Sequence, residues 1–145
     1  MLRTSLIIGL LVLSASLSAA EEKVHATLFK NPGCGCCEKY ADYLRANGFE
    51  VTSIEAPNMP VIKQNHGVRA NLEGCHTTVV GDYVVEGHVP VTAIKRLLTE
   101  KPAIKGISLP GMPQGWPGMS GEKEGPFEIL AITGDDKPAP IYAKE

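Results

Sequence analysis

Asn31-Pro32-Gly33-Cys34-Gly35-Cys36-Cys37-Glu38-Lys39 carries three of the chain's four cysteines, and its reading decides the fold. Val24–Lys30, just before it, predicts a β-strand, and Cys36–Ala46, which leads out of it, predicts a helix. Asn-Pro-Gly between them is turn chemistry, because proline fixes one dihedral and glycine admits the sharp bend that follows. The cysteines therefore lie where a strand hands over to a helix N-terminus. Unpaired backbone N–H groups and the helix dipole favour a thiolate over a thiol at such a position. Nucleophilic and metal-binding chemistry both need that state.

Downstream, Cys37, Tyr40, Ala41 and Leu44 form an apolar helical stripe that Asn47-Gly48 ends. Phe49–Ile54 alternates apolar and polar residues, the pattern of a half-buried strand. Ala56–Pro60 breaks that pattern, Val61–Asn65 predicts a short helix, and residues 68–74 read as a loop with room for a helical turn. Two β-rich runs between Cys75 and Pro90 flank Gly81-Asp82, a hairpin signal. Pro90 suits a helix start, Val91, Ile94, Leu97 and Leu98 mark the buried face, and Lys101-Pro102 closes the helix. Strand, helix, strand, helix, hairpin, helix is the order of a thioredoxin-like α/β domain, with a central mixed sheet flanked by helices. Gly106–Met119 reads as neither helix nor central strand and repeats Pro-Gly-Met at 110–112 and 117–119, which predicts a Pro/Gly/Met-rich C-terminal loop extension. Phe127–Ile132 predicts a short returning strand, and residues 136–145 a flexible tail.

Residues 1–20 read as a secretory signal peptide: Arg3 supplies the positive start, Leu6–Leu13 the apolar run and Ser18-Ala19-Ala20 the cleavage point. The mature protein is then exported, soluble and free of the membrane after cleavage, periplasmic in a host with two membranes. The remaining 125 of 145 residues suffice for one domain, 21–135, with the tail behind it. Removing Arg3 leaves 13 Lys and Arg against 16 Asp and Glu, a formal charge of −3. With no basic run and no aromatic-rich basic patch, nucleic acid is not expected as a partner.

Four cysteines in an exported protein would ordinarily suggest two structural disulfides. The spacing argues otherwise, since Cys34, Cys36 and Cys37 crowd into four residues and cannot staple distant parts of the chain. Cys34 and Cys37 form a Cys-x-x-Cys pair in the strand-to-helix context of a dithiol switch. Cys36 adds a third thiol, and Cys75 occupies the place where thioredoxin-like domains bring a cis-proline against the active site. Four converging sulfurs describe a soft-metal site. Thiolate and thioether select Cu(I) or zinc, and methionine favours Cu(I). The crowding suits thiolates bridging more than one Cu(I) better than a single tetrahedral zinc. His88, at the hairpin's end, and Met112 and Met119, each after Pro-Gly, are further candidate ligands. His76 is a weaker one, because on a strand its side chain would point away from that of Cys75. His25 and His66 read as surface residues and Met59 as core.

Asn-Pro-Gly-Cys-Gly-Cys-Cys, the later Cys-His-Thr, Glu-Gly-His-Val-Pro and the double Pro-Gly-Met segment resemble the CopG-like periplasmic copper-resistance proteins, a thioredoxin-like metal-binding family long described as of unknown function. The resemblance spans Val24 to Ile132. It implies copper binding within a copper or silver resistance system, with other periplasmic copper-handling proteins as partners. It marks Cys34, Cys36, Cys37 and Cys75 as metal ligands, and His88, Met112 and Met119 as residues of the matching stretches. Two function classes follow: a Cu(I)-binding protein of copper homeostasis, with scope for copper redox activity, and a thiol–disulfide oxidoreductase using Cys34 and Cys37. The first predicts that loss of Cys75 is as damaging as loss of Cys34, and the second that Cys75 is dispensable.

Overall fold

The computed structural model describes residues 22–116 and 118–145; the expected signal peptide, 1–20, lies outside them. The elements run β1 (Val24–Lys30), α1 (Gly35–Ala46), β2 (Phe49–Glu55), α2 (Met59–Asn65), a 3₁₀ turn (Ala70–Leu72), β3 (Thr77–Val80), β4 (Tyr83–Glu86), α3 (Val91–Glu100), β5 (Gly106–Ser108), β6 (Glu128–Ile132) and β7 (Ile141–Lys144). The order expected from the sequence through α3 is the order found.

The strands form one mixed sheet in the order β2-β1-β3-β4-β5-β6-β7. β1 pairs parallel with β2 and antiparallel with β3, and β3 and β4 make the expected hairpin. Parallel neighbours need a crossover, and α1 supplies it between β1 and β2 as α3 does between β4 and β5. The apolar stripe of α1 (Cys37, Tyr40, Ala41, Leu44) and that of α3 (Val91, Ala93, Ile94, Leu97) share one core with Ala26, Leu28, Val80, Val85, Ile107 and Ile129. Fully burying a Leu or Ile side chain contributes about 1.5–3 kcal/mol, so these stripes fix the helices on this face of the sheet. Strand alternation sends Val84 and Ile132 to the other face, where they pack with Val68 and Leu72 around the 3₁₀ turn.

Two readings of the C-terminal part are corrected. Gly106–Ser108, expected to be no central strand, is β5, fully buried between β4 and β6. A three-residue strand containing glycine carries no local β signal, and its neighbours on both sides decide the matter. A Cβ at Gly106 would fall 1.9 Å from the Val84 carbonyl oxygen, so the pairing admits only glycine there. The segment expected to be a loose tail contains β7, which pairs with β6 from Glu128↔Lys144 to Leu130↔Ile141. Backbone bonds in both directions between Phe127 and Glu145, and Thr92 Oγ1 donating to the Glu145 carboxylate, tie the end down.

One buried ion pair joins the elements below the cysteines. Lys63 of α2 is paired with Glu86 at the end of β4, and both side chains are buried. Glu86 also accepts hydrogen bonds from the Gly74 N–H at 2.7 Å and from Thr77 Oγ1 at 2.6 Å, while Lys63 donates to the Gly74 carbonyl at 3.1 Å. Removing one member of a buried pair leaves the other charge uncompensated, which typically costs about 3–5 kcal/mol. Lys63→Met is therefore expected to lower stability by that amount, read as a reduced urea-unfolding midpoint. An unchanged midpoint would show that this pair does not anchor the fold.

Candidate metal centre

The turn before α1 is built by its sequence. The Cys34 N–H reaches back to the Asn31 carbonyl at 3.3 Å, with Pro32 and Gly33 between and Gly33 at φ +71°, which is the requirement of a type II turn. Cys34 then caps α1, and Cys36 and Cys37 lie in its first turn. Lys30 of β1 holds this end through Glu38 at 3.1 Å and Glu55 at 3.0 Å.

Cys75 comes from the other side, in a bend just before β3, next to the Gly74 that the Lys63–Glu86 pair holds. Its Sγ lies 3.2 Å from that of Cys36, 3.4 Å from Cys37 and 3.5 Å from Cys34, and Cys34 and Cys36 are 3.6 Å apart. The four expected cysteines thus meet at one point. Cys34 and Cys37 are joined in a disulfide, and Cys36 and Cys75 are free thiols. Cys37 is fully buried, while Cys34, Cys36 and Cys75 are partly exposed, so the site opens to solvent on one side. Burial, then the hydrogen bond and charge of Cys36, outweigh the pull of Lys63 and push the Cys75 thiol up to about 12. In this oxidation state Cys75 is a protonated thiol.

Beneath the sulfurs lies a buried aromatic group. His76 and His88 are fully buried, with ring centroids 4.8 Å apart, and the Tyr40 ring lies tilted at 4.5 Å from His76 and edge-to-face at 5.2 Å from His88. The Tyr40 hydroxyl donates to the Val89 carbonyl at 2.6 Å, and the Tyr43 hydroxyl accepts from the Val91 N–H at 2.9 Å, so α1 holds the loop that carries His88. Burial, with His88 and Lys63 nearby, holds His76 neutral well below the usual imidazole range. Burial likewise holds Tyr40 as a phenol. Cys75 Sγ and one ring nitrogen from each of His76 and His88 lie within 4.8 Å of one another, as do the four sulfurs among themselves. His76 therefore joins the site despite its place in the sequence, because Cys75 precedes β3 and strand alternation does not separate the two side chains.

The Pro-Gly-Met segments meet the site through their glycines. Gly111 forms a parallel bridge with Gly74, the residue before Cys75, and its N–H bonds to the Glu73 carbonyl at 2.9 Å. Gly118, at φ +87°, lies so close to α1 that a Cβ there would be 2.8 Å from the Cys36 carbonyl oxygen and 3.1 Å from His88 Cε1. The loop is anchored beside the site at these two points, against the residue before Cys75 and against the start of α1. Met112 is 61% exposed and Met119 half-buried, each one residue beyond its contact glycine. The sequence places Tyr40 in a buried helical stripe and the glycines in a repeat but not at the site, and nothing local marks the Lys63–Glu86 pair. Of the other residues weighed, Met59 is core, His25 is exposed, and His66 is half-buried against Phe29.

Two measurements check this geometry. An ordinary thiol titrates at a pKa of about 8.5 and its alkylation rate levels off above it. Alkylation of Cys75, followed by peptide mapping of the disulfide form, is expected to keep rising with pH through about 9 and 10, because its thiolate is still the minor species there. A plateau by about pH 9 would contradict the burial described. Gly118→Ala is expected to lift the loop and speed alkylation of Cys36 severalfold at fixed pH, with no speeding expected if the loop does not cover that sulfur.

Two solved structures, form 1 and form 2 of a copper resistance protein CopG, are similar to this chain at 34% sequence identity and a TM-score of 0.77. The similarity covers 86% of this chain, and 98% of one of those chains and 99% of the other. A family described as "Protein of unknown function, DUF411" matches residues 72–119, from Leu72 through Cys75 and His88 to Met119. No curated protein matches. With an α/β fold and most of its length shared at this identity, the chain belongs to the CopG copper-resistance family.

Proposed function

We propose that the protein binds Cu(I) in the service of copper resistance, holding more than one ion on bridging thiolates of Cys34, Cys36, Cys37 and Cys75. The observation that carries this reading is the approach of Cys75 Sγ to within 3.5 Å of three other sulfurs supplied by one helix end. Thiolates are the ligands that select Cu(I), and sulfurs this close can share ions. The CopG name of its structural relatives supports copper as the cargo. His88 stands next to the sulfurs as a nitrogen ligand. Met112 and Met119, on the loop that crosses the site, offer thioethers through which copper enters and leaves, from or to other periplasmic copper-handling proteins. The signal-peptide pattern of residues 1–20 supports export to the periplasm, and no helix among the described residues is long and apolar enough to cross a membrane.

The Cys34–Cys37 disulfide supports a redox role for the same site. Two thiolates that join in a disulfide give up two electrons, enough to reduce two Cu(II) to two Cu(I). The reverse step returns two Cu(II) and the dithiolate. The disulfide also favours the second reading, a thiol–disulfide oxidoreductase in which partly exposed Cys34 is attacked or attacks and buried Cys37 resolves.

An anaerobic Cu(I) titration of the reduced protein against a competing chelator separates the two readings. Uptake of several ions per chain is expected, lost in Cys75→Ser to the same degree as in Cys34→Ser. Saturation at a single copper would remove the multinuclear site. Weak uptake indifferent to Cys75, with intact disulfide exchange at Cys34 and Cys37, would establish the second reading instead.

A further inference from the structure

Cys34 and Cys37 are joined in this structure, which removes two of the four sulfurs as thiolate ligands. The donors that remain at the site are Cys36, Cys75 and the two buried imidazoles. Neither ring nitrogen of His76 makes a regular hydrogen bond among the described residues, and the Gly87 backbone offers at most a weak one. A polar group with no accessible surface and no good partner is costly, and such groups ordinarily have a reason. A metal ion is one, since a ring nitrogen of His76, a ring nitrogen of His88 and Cys75 Sγ lie within 4.8 Å of one another. Imidazole suits copper, and two imidazoles with one thiolate form a known copper donor set.

We propose that, when Cys34 and Cys37 are joined, Cys75, His76 and His88 hold one copper ion in a mixed thiolate–imidazole site that shares Cys75 with the four-sulfur site, the Cys75 thiol releasing its proton to solvent as the ion binds. This rests on the copper reading above and adds to it where the ion sits when the dithiol is spent. His76, adjacent to Cys75 in the chain, becomes a ligand in its own right. The ion moves from sulfur to nitrogen donors around a fixed Cys75, with no change in the elements that carry them. Gly118, against His88 Cε1 and the Cys36 carbonyl, places the Pro-Gly-Met loop beside this second site as well.

The test is made on the disulfide form, kept anaerobic, with its two free thiols counted before copper is added and again after a chelator has removed it. One equivalent of Cu(I) alone is the probe, and the imidazole nitrogens are followed by NMR, for which Cu(I) is diamagnetic. The ring-nitrogen signals of His76 and His88 are expected to shift on binding, while those of His25 and His66 stay in place. His76→Phe is expected to weaken Cu(I) binding by the disulfide form by at least the factor of about 10–100 that losing even an outer partner of a metal ligand costs, leaving uptake by the reduced form unchanged. Should that variant not fold, the signals of the unaltered protein decide the matter alone. Copper bound with both imidazoles unmoved would mean a Cys36–Cys75 pair and would overturn the proposal. So would a disulfide form that takes no copper while the reduced form does. If neither form takes copper, the copper reading itself fails and this site fails with it.

Discussion

The position of Cys75 depends on a buried charge pair. Lys63 and Glu86 come from a short helix and a strand end that share no sequence context, and between them they fix both polar groups of Gly74 and the hydroxyl of Thr77. Taking two charges out of water is expensive, and the pair is tolerable only because nearly every donor and acceptor around it is used. That requirement makes the arrangement specific. Glu86 can satisfy the Gly74 N–H and Thr77 Oγ1 together only if the bend between them takes one course, and Cys75 lies on that bend. An apolar substitute of similar volume could fill the space but would not dictate where the sulfur goes.

The other three sulfurs are fixed differently, by local chemistry. Asn-Pro-Gly makes a turn with little alternative, the helix begins immediately after it, and the apolar stripe of α1 docks the helix on the sheet. Tyr40 and Tyr43 extend the same stripe into hydrogen bonds with the loop of His88. One helix therefore presents three cysteines at its tip and positions a histidine from its side. The site is assembled where a locally determined turn meets a bend determined at long range.

This division explains what could be read in the sequence. β1, α1, β2, the hairpin and α3 each carry their own periodicity or turn signal, and the convergence of Cys75 on the other cysteines follows from their order. β5 and β7 carry no such signal: one is three residues long, and the other follows a Pro-, Asp- and Lys-rich stretch. They are strands because β6 offers an edge to each, a property of the assembled sheet. Strand alternation does not govern His76, because Cys75 and His76 both precede β3, and so its place beside Cys75 is not legible from periodicity. Lys63 and Glu86 stand 23 residues apart, and two charged residues at that distance look like surface until the sheet order brings them together. The Pro-Gly-Met repeat was visible as a pattern, but its contacts are made by the glycines, at close approaches that only the folded backbone reveals.

The two ways of fixing the sulfurs have a chemical consequence. Cys34 and Cys37 lie on one helical turn, and a bond between residues three apart closes so short a loop that it constrains the chain very little. The cap and first turn of α1 already hold the two cysteines as neighbours. Cys75 is placed by the ion pair and the loop of His88 by the two tyrosines of α1, and those hydrogen bonds are made by groups other than the bonded sulfurs. Joining the dithiol therefore withdraws two sulfur donors and leaves Cys36, Cys75 and the two imidazoles. A soft ion in the sites proposed above would meet a donor set that changes from sulfur-rich to nitrogen-containing. On the copper reading proposed above, that change of donors, rather than a conformational switch, is what would distinguish how the ion is held in the two redox states.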